Sequence, residues 1–178
     1  GYTFPFSVFG MDRTAKLPTT YNFSFSIQQN VGFGTVLDVA YVGSLSRHLE
    51  WWMHNNEVPL GANFRPENAD PASPTTALPV NFLRPLRGYG DVRMYEWNGS
   101  SNYHSLQVEA NRRFARRLQF GAAWTWSKTM APNTWDRESI SRLVGFDFWY
   151  RGLSGNDRTH QLKVNFVWEL PKAPGALG

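Results

Sequence analysis

Three histidines, His48, His104 and His160, have the side chains of this chain that would do the most distinctive chemistry if they met. Imidazole nitrogens bind transition metals and carry protons near neutral pH. The three lie far apart in sequence, each near the end of a candidate strand, so a metal site would need a fold that brings those ends together. The plainer reading is three separate polar or ring-stacking positions. Glu109 beside Arg112 and Arg113 reads either as an acid/base cluster or as charges on the polar side of a strand that pair with neighbouring elements. The run Arg112, Arg113, Arg116, Arg117 could hold phosphate, or be a solvated turn with extended basic side chains. Serine, histidine and aspartate all occur, but no GxSxG elbow accompanies them. Gly32-Phe33-Gly34 and Gly88-Tyr89-Gly90 are isolated glycine pairs rather than phosphate loops, because neither stands between a buried strand and a helix. With no cysteine there is no thiolate nucleophile, zinc-thiolate site or disulfide. The expectation is a protein that is not an enzyme, with no catalytic residue, metal or cofactor.

The elements that carry these residues are long alternating strands. In SNYHSLQVEANRRFARRLQFGAAWTWS, Ser101 to Ser127, the even positions His104, Leu106, Val108 and Ala110 oppose Ser105, Gln107, Glu109, Asn111 and Arg113. After Ala115, Arg116 and Arg117, the positions Leu118, Phe120, Ala122, Trp124 and Trp126 resume the apolar side against Gln119, Gly121, Ala123, Thr125 and Ser127. A strict period of two marks a strand with one apolar face. Strands of about 10 to 12 residues at about 3.3 Å each, tilted near 45°, rise about 23 to 28 Å, which matches the apolar band of an outer-membrane barrel. Strands of soluble sandwiches are typically about half as long.

The same device recurs along the chain. Tyr21, Phe23, Phe25 and Ile27 alternate with Asn22, Ser24, Ser26 and Gln28, and a Gly32-Phe33-Gly34 turn leads to Leu37, Val39, Tyr41, Leu45, Leu49 and Trp51 against Asp38, Ala40, Ser44, Ser46 and His48. Leu162, Val164, Phe166, Trp168 and Leu170 alternate with Gln161, Lys163, Asn165 and Glu169 until Pro171. The fold class read from this is all-β: an antiparallel up-and-down meander of about five long strands, a segment of a transmembrane β-barrel with long extracellular loops. The strands fall at about 21–31, 35–51, 101–114, 118–127 and 157–170, and the long loops at about 52–100 and 128–156. Short turns and long loops alternate strictly, as periplasmic turns and extracellular loops do. Residues 59 to 85 hold six prolines, which argues against a regular helix or central strand there. Gly88 to Trp97 could form a short hairpin arm, and between Asp136 and Phe148 the residues Ile140, Leu143, Val144 and Asp147 fit helical spacing over one or two turns.

On this reading the lumen-facing candidates are Asp38, Gln107, Glu109, Asn111, Arg113, Gln119, Lys163 and Asn165. The girdle candidates are Tyr21, Phe23, Tyr41, Trp124, Trp126 and Trp168, because aromatic rings gather at membrane interfaces. Trp51, Trp52, Trp97, Trp135 and Trp149 are the loop residues placed to contact a ligand.

Composition agrees with strands rather than helices in a membrane. The 178 residues are 16% aromatic with eight tryptophans, yet mean hydropathy is −0.44, and no stretch approaches the roughly 18 apolar residues of a membrane helix. A net charge of +4 is dispersed along the chain rather than gathered into a patch, so nucleic acid is not expected as a partner. The opening residues carry no basic segment followed by an apolar core, so no signal peptide is expected within the chain. About five strands fall short of the roughly eight that close a small barrel, and an open edge in hydrocarbon leaves backbone groups unpaired. The chain is therefore expected to be part of a larger barrel, or to oligomerise into one.

The blocks LPTTYNFSFSIQQNVGFGTVLDVAYVGSLSRHL, LRPLRGYGD, SSNYHSLQVEANRRFARRLQFGAAWTWSK and DRTHQLKVNFVWELP, from Leu17 to Pro171, together resemble the β-barrel of Oar-like TonB-dependent outer-membrane transporters. That resemblance implies a barrel of about 22 strands around a plug domain. It also implies these partners: outer-membrane lipid, the remaining strands and plug of a longer protein, and a TonB-type energy-transducing protein. Two other functions fit the pattern without the resemblance: a passive porin or adhesin-like barrel, and a soluble β-rich carbohydrate-binding module that uses its exposed tryptophans.

Overall fold

Two tight turns at one end of a sheet organise this chain. A computed structural model describes residues 4–132, 139–143 and 151–171. In chain order the elements are β1 (Phe6–Met11), β2 (Thr19–Gly32), β3 (Thr35–His54), β4 (Ala69–Asp70), β5 (Ser73–Ala77), α1 (Val80–Leu83), β6 (Tyr89–Ala115), β7 (Leu118–Ala131), β8 (Ser139–Ser141), β9 (Gly152–Leu153) and β10 (His160–Trp168). Between β2 and β3, Gly32, Phe33 and Gly34 have φ of 87°, 52° and 73°, a left-handed path that glycine adopts without steric cost. Between β6 and β7, Arg116 and Arg117 take φ of 51° and 66°, as both central residues must in a two-residue turn whose twist suits a hairpin. The Arg113 N–H donates to the Gly34 carbonyl and the Glu169 N–H to the Arg117 carbonyl, so both turns and the end of β10 share one sheet end.

The strand order is β10-β7-β6-β3-β2. The β10–β7 pair is antiparallel from His160↔Trp126 to Trp168↔Leu118. Among the described residues, β2 has β3 as its one neighbour and β10 has β7, so each presents an open edge. Three short strands join off this path: β1 parallel to β6, β8 parallel to β3, and β9 antiparallel to β7.

Several boundaries differ from the sequence reading. The third long strand begins at Tyr89 rather than near 101, and Gly88–Trp97 is no hairpin arm: from Tyr89 it is the first part of one continuous strand to Ala115. Pairing with β1 keeps this stretch extended where its own residues lack alternation. The second strand runs to His54, and the fifth is shorter than expected at His160–Trp168. The proline-rich stretch holds two three-residue 3-10 turns, the four-residue α1 and the β4–β5 ribbon, which are the short pieces proline allows. Of the helix expected between Asp136 and Phe148, Ser139–Ser141 is strand, because Met53 of β3 offers Ile140 a backbone partner; most of the remaining span lies outside the described residues.

The chain divides into two compact units. The strand unit comprises Tyr21–Leu45, Asn102–Thr129 and Asn156–Gly178, and the loop unit Gly1–Thr20, Ser46–Ser101 and Met130–Gly155. The buried hydrophobic residues are Trp51, Met53, Ala62, Leu83 and Ile140, all in the loop unit; among the described residues the strand unit buries none. Trp51, Met53 and Ile140 pack together with Leu49 beside them. This corrects the sequence reading of Leu49 and Trp51 as continuing the outward apolar face. His48 has φ 56°, outside the strand region, which interrupts the pleat and breaks the alternation that runs up to Leu45.

Candidate functional site

The strand unit is a single sheet layer with two unlike faces, and the β7–β10 register displays both. One face carries His160 opposite Trp126, then Leu162 with Trp124, Val164 with Ala122, Phe166 with Phe120 and Trp168 with Leu118. The other carries Gln161 with Thr125, Lys163 with Ala123, Asn165 with Gly121 and Val167 with Gln119. Leu162 is 69% exposed, Val164 60% and Phe166 69%, and on β2 Phe25 and Ile27 are 67% and 59% exposed. Burying such a side chain is worth about 1.5–3 kcal/mol, so leaving this many in water would forfeit about the whole 5–15 kcal/mol that stabilises a domain. A face built this way is built for hydrocarbon.

Several of the girdle candidates meet other rings. Phe23, Tyr41 and His104 form a ring cluster with centroid separations of 6.1 to 6.3 Å, and the Tyr41 hydroxyl shares a hydrogen bond of 2.7 Å with His104 Nδ1. The cluster has room because β3 carries a glycine there: a Cβ on Gly43 would stand 2.2 Å from the Phe23 ring. Trp124 stacks on His160 at 5.9 Å, and Trp126 lies opposite His160. Tyr21 is exposed on β2, and Trp168 is exposed opposite Leu118 near the turn end. His104 and His160 thus serve separate ring stacks, and His48 belongs to the loop unit. Among the described residues no group of three or more His, Asp or Glu side chains could hold a metal ion.

Of the lumen-facing candidates, Asn111 and Asn165 come together. A Cβ on Gly121 would meet the Asn165 Oδ1 at 2.7 Å and the Asn111 Oδ1 at 3.0 Å, so this glycine leaves space for two amides on the polar face. The Asn111 amide donates to Glu109 at 2.5 Å, and that of Gln107 to the Ser105 hydroxyl at 3.3 Å. Glu109 therefore takes Asn111 as its partner rather than the Arg112 or Arg113 of an acid/base cluster. Lys163 stands opposite Ala123 and Gln119 opposite Val167. Arg113 bonds through its backbone to Gly34, and Asp38 lies on β3 among the half-buried positions.

The loop unit holds the network that sequence reasoning missed. Asn56 is fully buried; its Nδ2 donates to the Gly90 carbonyl at 2.8 Å and its Oδ1 accepts the Leu86 N–H at 2.7 Å, tying the loop to the start of β6. Arg84 donates to the carbonyls of Asn56 and Gly90 and pairs with Asp91 at 3.0 Å. Arg93 also reaches Asp91, at 3.2 Å, and lies 5.8 Å above the Phe9 ring and 6.0 Å above the Trp52 ring. Its Nε donates to His54 Nε2 at 3.1 Å. Trp52 meets Phe9 and Tyr95 edge to face. Partial burial opposes ionisation of Asp91, but the hydrogen bond and charge of Arg84, with the charge of Arg93, outweigh it and hold the carboxyl below its usual range. The one signal in the sequence was LRPLRGYGDVR itself, where charge is dense and alternation lapses.

Of the loop tryptophans, Trp51 is 9% exposed in the core and so cannot meet a ligand as expected, Trp52 and Trp97 are half-buried, and Trp135 and Trp149 lie outside the described residues.

Long strands with one uncovered apolar face and one polar face make the wall of a transmembrane β-barrel. A family model described as an outer membrane beta barrel domain matches residues 2–177, and the chain belongs to that family. Its place is the bacterial outer membrane, which removes the soluble carbohydrate-binding reading. A search of curated proteins and a search of solved structures each returned no match.

Proposed function

We propose that this chain forms part of the barrel wall of a TonB-dependent outer-membrane transporter that takes up its substrate actively, with a binding and passage role rather than a catalytic one. The observation that carries the barrel role is the contrast between the units: every buried hydrophobic residue described lies in the loop unit, while the strand unit exposes its apolar face. The transport reading is supported by the resemblance of the four blocks from Leu17 to Pro171 to Oar-like barrels. A loop unit with its own small core, edged by Phe9, Trp52, Tyr95 and Arg93, suits capture of a ligand before passage. The open edges of β2 and β10 require further strands, since unpaired backbone groups cost several kcal/mol each in hydrocarbon. The partners of this reading are outer-membrane lipid, those strands, a plug domain and a TonB-type protein.

The test uses the full reading frame and the protein it encodes. A plug domain ahead of the barrel, and crosslinking of the full-length protein to a TonB-type protein in cells, are the expected results. A complete strand set with no plug, and no crosslink, selects a passive porin or adhesin-like barrel instead.

A further inference from the structure

We propose that the outward face of the β7–β10 pair carries a binding site for the phosphate of a membrane lipid headgroup, built from Lys128 and Arg158 above the Trp126–His160 rung. The proposal rests on the barrel-wall reading, which makes this the lipid-covered face.

From Leu118 with Trp168, apolar rungs follow through Phe120 with Phe166, Ala122 with Val164, and Trp124 with Leu162, and then come Trp126 with His160. The Ser127 N–H donates to the Thr159 carbonyl at 3.0 Å and the Ser127 hydroxyl to the Arg158 carbonyl at 2.7 Å, so the two chains stay together one step further. Continued in the same register, the next pair on the outward face is Lys128 with Arg158, both exposed. Like charges directly opposite each other in a sheet are destabilising unless a negative charge lies between them. The local acid is Asp157, whose carboxylate accepts the Thr129 N–H at 2.6 Å and the Thr159 hydroxyl at 2.8 Å. Those bonds, the Thr129 hydroxyl and the Lys128 charge hold Asp157 below the usual carboxylate range, so it stays ionised, and one net positive charge remains on the rung. Arg158 also donates to the Asp157 carbonyl at 2.9 Å, which leaves its other guanidinium nitrogens for an anion.

The ring rung below fixes the depth. Tryptophan at a membrane interface sits at headgroup level with its body in the apolar region. Cations two residues beyond Trp126 and His160 then stand at the phosphates, and a lipid held there would lay its acyl chains along Trp124, Leu162 and Val164. Charge and apolar surface together select a phosphorylated amphiphile over a free anion, which could use only the cations.

The experiment takes the full-length protein extracted in mild detergent, with monophosphoryl lipid A, its dephosphorylated counterpart and inorganic phosphate as probes. Retention of each lipid is measured by native mass spectrometry for the parent, Lys128→Ala, Arg158→Ala and the double variant. Each cation removed is expected to weaken retention of the phosphorylated lipid about fivefold, and both together about thirtyfold, with little change for the dephosphorylated lipid. Lys128→Arg should retain it. Equal retention of the two lipids, no effect of the double variant, or competition by inorganic phosphate as strong as by lipid would each overturn the proposal. Heat-modifiable mobility on gels is followed in parallel: its persistence with unchanged retention refutes the phosphate site alone, whereas its absence in the parent refutes the barrel reading and this site with it.

Discussion

Gly99 faces the Trp51 ring, and adding one methyl group there tests how the loop unit is held. A Cβ on Gly99 would lie 1.1 Å from Trp51 Nε1 and 2.1 Å from both Cδ1 and Cε2, where ordinary contact begins near 3.4 Å. The indole must therefore shift by roughly 2 Å in a core it shares with Met53 and Ile140. Overpacking of this kind costs about 1–3 kcal/mol, and its ceiling is the loss of the ring itself, about 3–5 kcal/mol for a buried Trp→Ala. Gly99→Ala should thus open the loop unit locally, and Trp51→Ala should open it more. In the Trp51→Ala background the added methyl meets no ring, so Gly99→Ala becomes nearly neutral, and the double-mutant cycle shows a coupling of about 1–3 kcal/mol. The assay is hydrogen exchange at the amides of Met53 and Ile140, residues paired across β3 and β8, which should speed up by about fivefold to about 150-fold in Gly99→Ala. Unchanged exchange in Gly99→Ala, or additive effects of the two substitutions, would refute the packing argument.

Three further outcomes follow from the same geometry. Val164→Arg, in the middle of the outward rungs, should cost about 2–4 kcal/mol in urea unfolding from lipid vesicles, while Ala123→Gln on the opposite face should stay within about 0.5 kcal/mol; equal costs would mean the faces are wrongly assigned. Gly43→Ala must displace the whole Phe23 ring and should destabilise the sheet, whereas Gly121→Ala meets only the mobile amide ends of Asn165 and Asn111 and should be tolerated; a reversal of that order in thermal melts would contradict the contacts. Asp91 has a folded pKa below its ordinary 3.8, so its ion pairs stabilise the loop unit above that value and the stabilisation fades as pH falls through the lower folded value. Protease resistance of the loop unit should decline over that window in the parent, and the decline should flatten in Asp91→Asn.

The long strands could be read directly from the sequence because alternation at a period of two is a local property, and nothing in the strand unit overrides it. Phe25 and Ile27, or Leu162 and Val164, point one way by the geometry of the pleat alone, and a hydrocarbon solvent rewards that pattern without needing a second layer. The Gly32–Gly34 and Arg116–Arg117 turns were equally legible, since each is bounded by strands whose alternation stops there. Beyond Leu45 the local signal stopped being sufficient. Whether Trp51 faces outward depends on the backbone at His48, and whether Tyr89–Tyr95 is strand depends on β1, a partner some eighty residues away along the chain.

The Asn56–Arg84–Asp91–Arg93 network lies still further from what spacing can disclose. It joins the loop after β3 to the start of β6 through backbone carbonyls that carry no residue identity. The sequence by itself determined the strands, their faces and the solvent they suit. Only the tertiary structure decided which aromatic rings are buried and which glycines make room for them, because those depend on pairings between segments that share no local pattern.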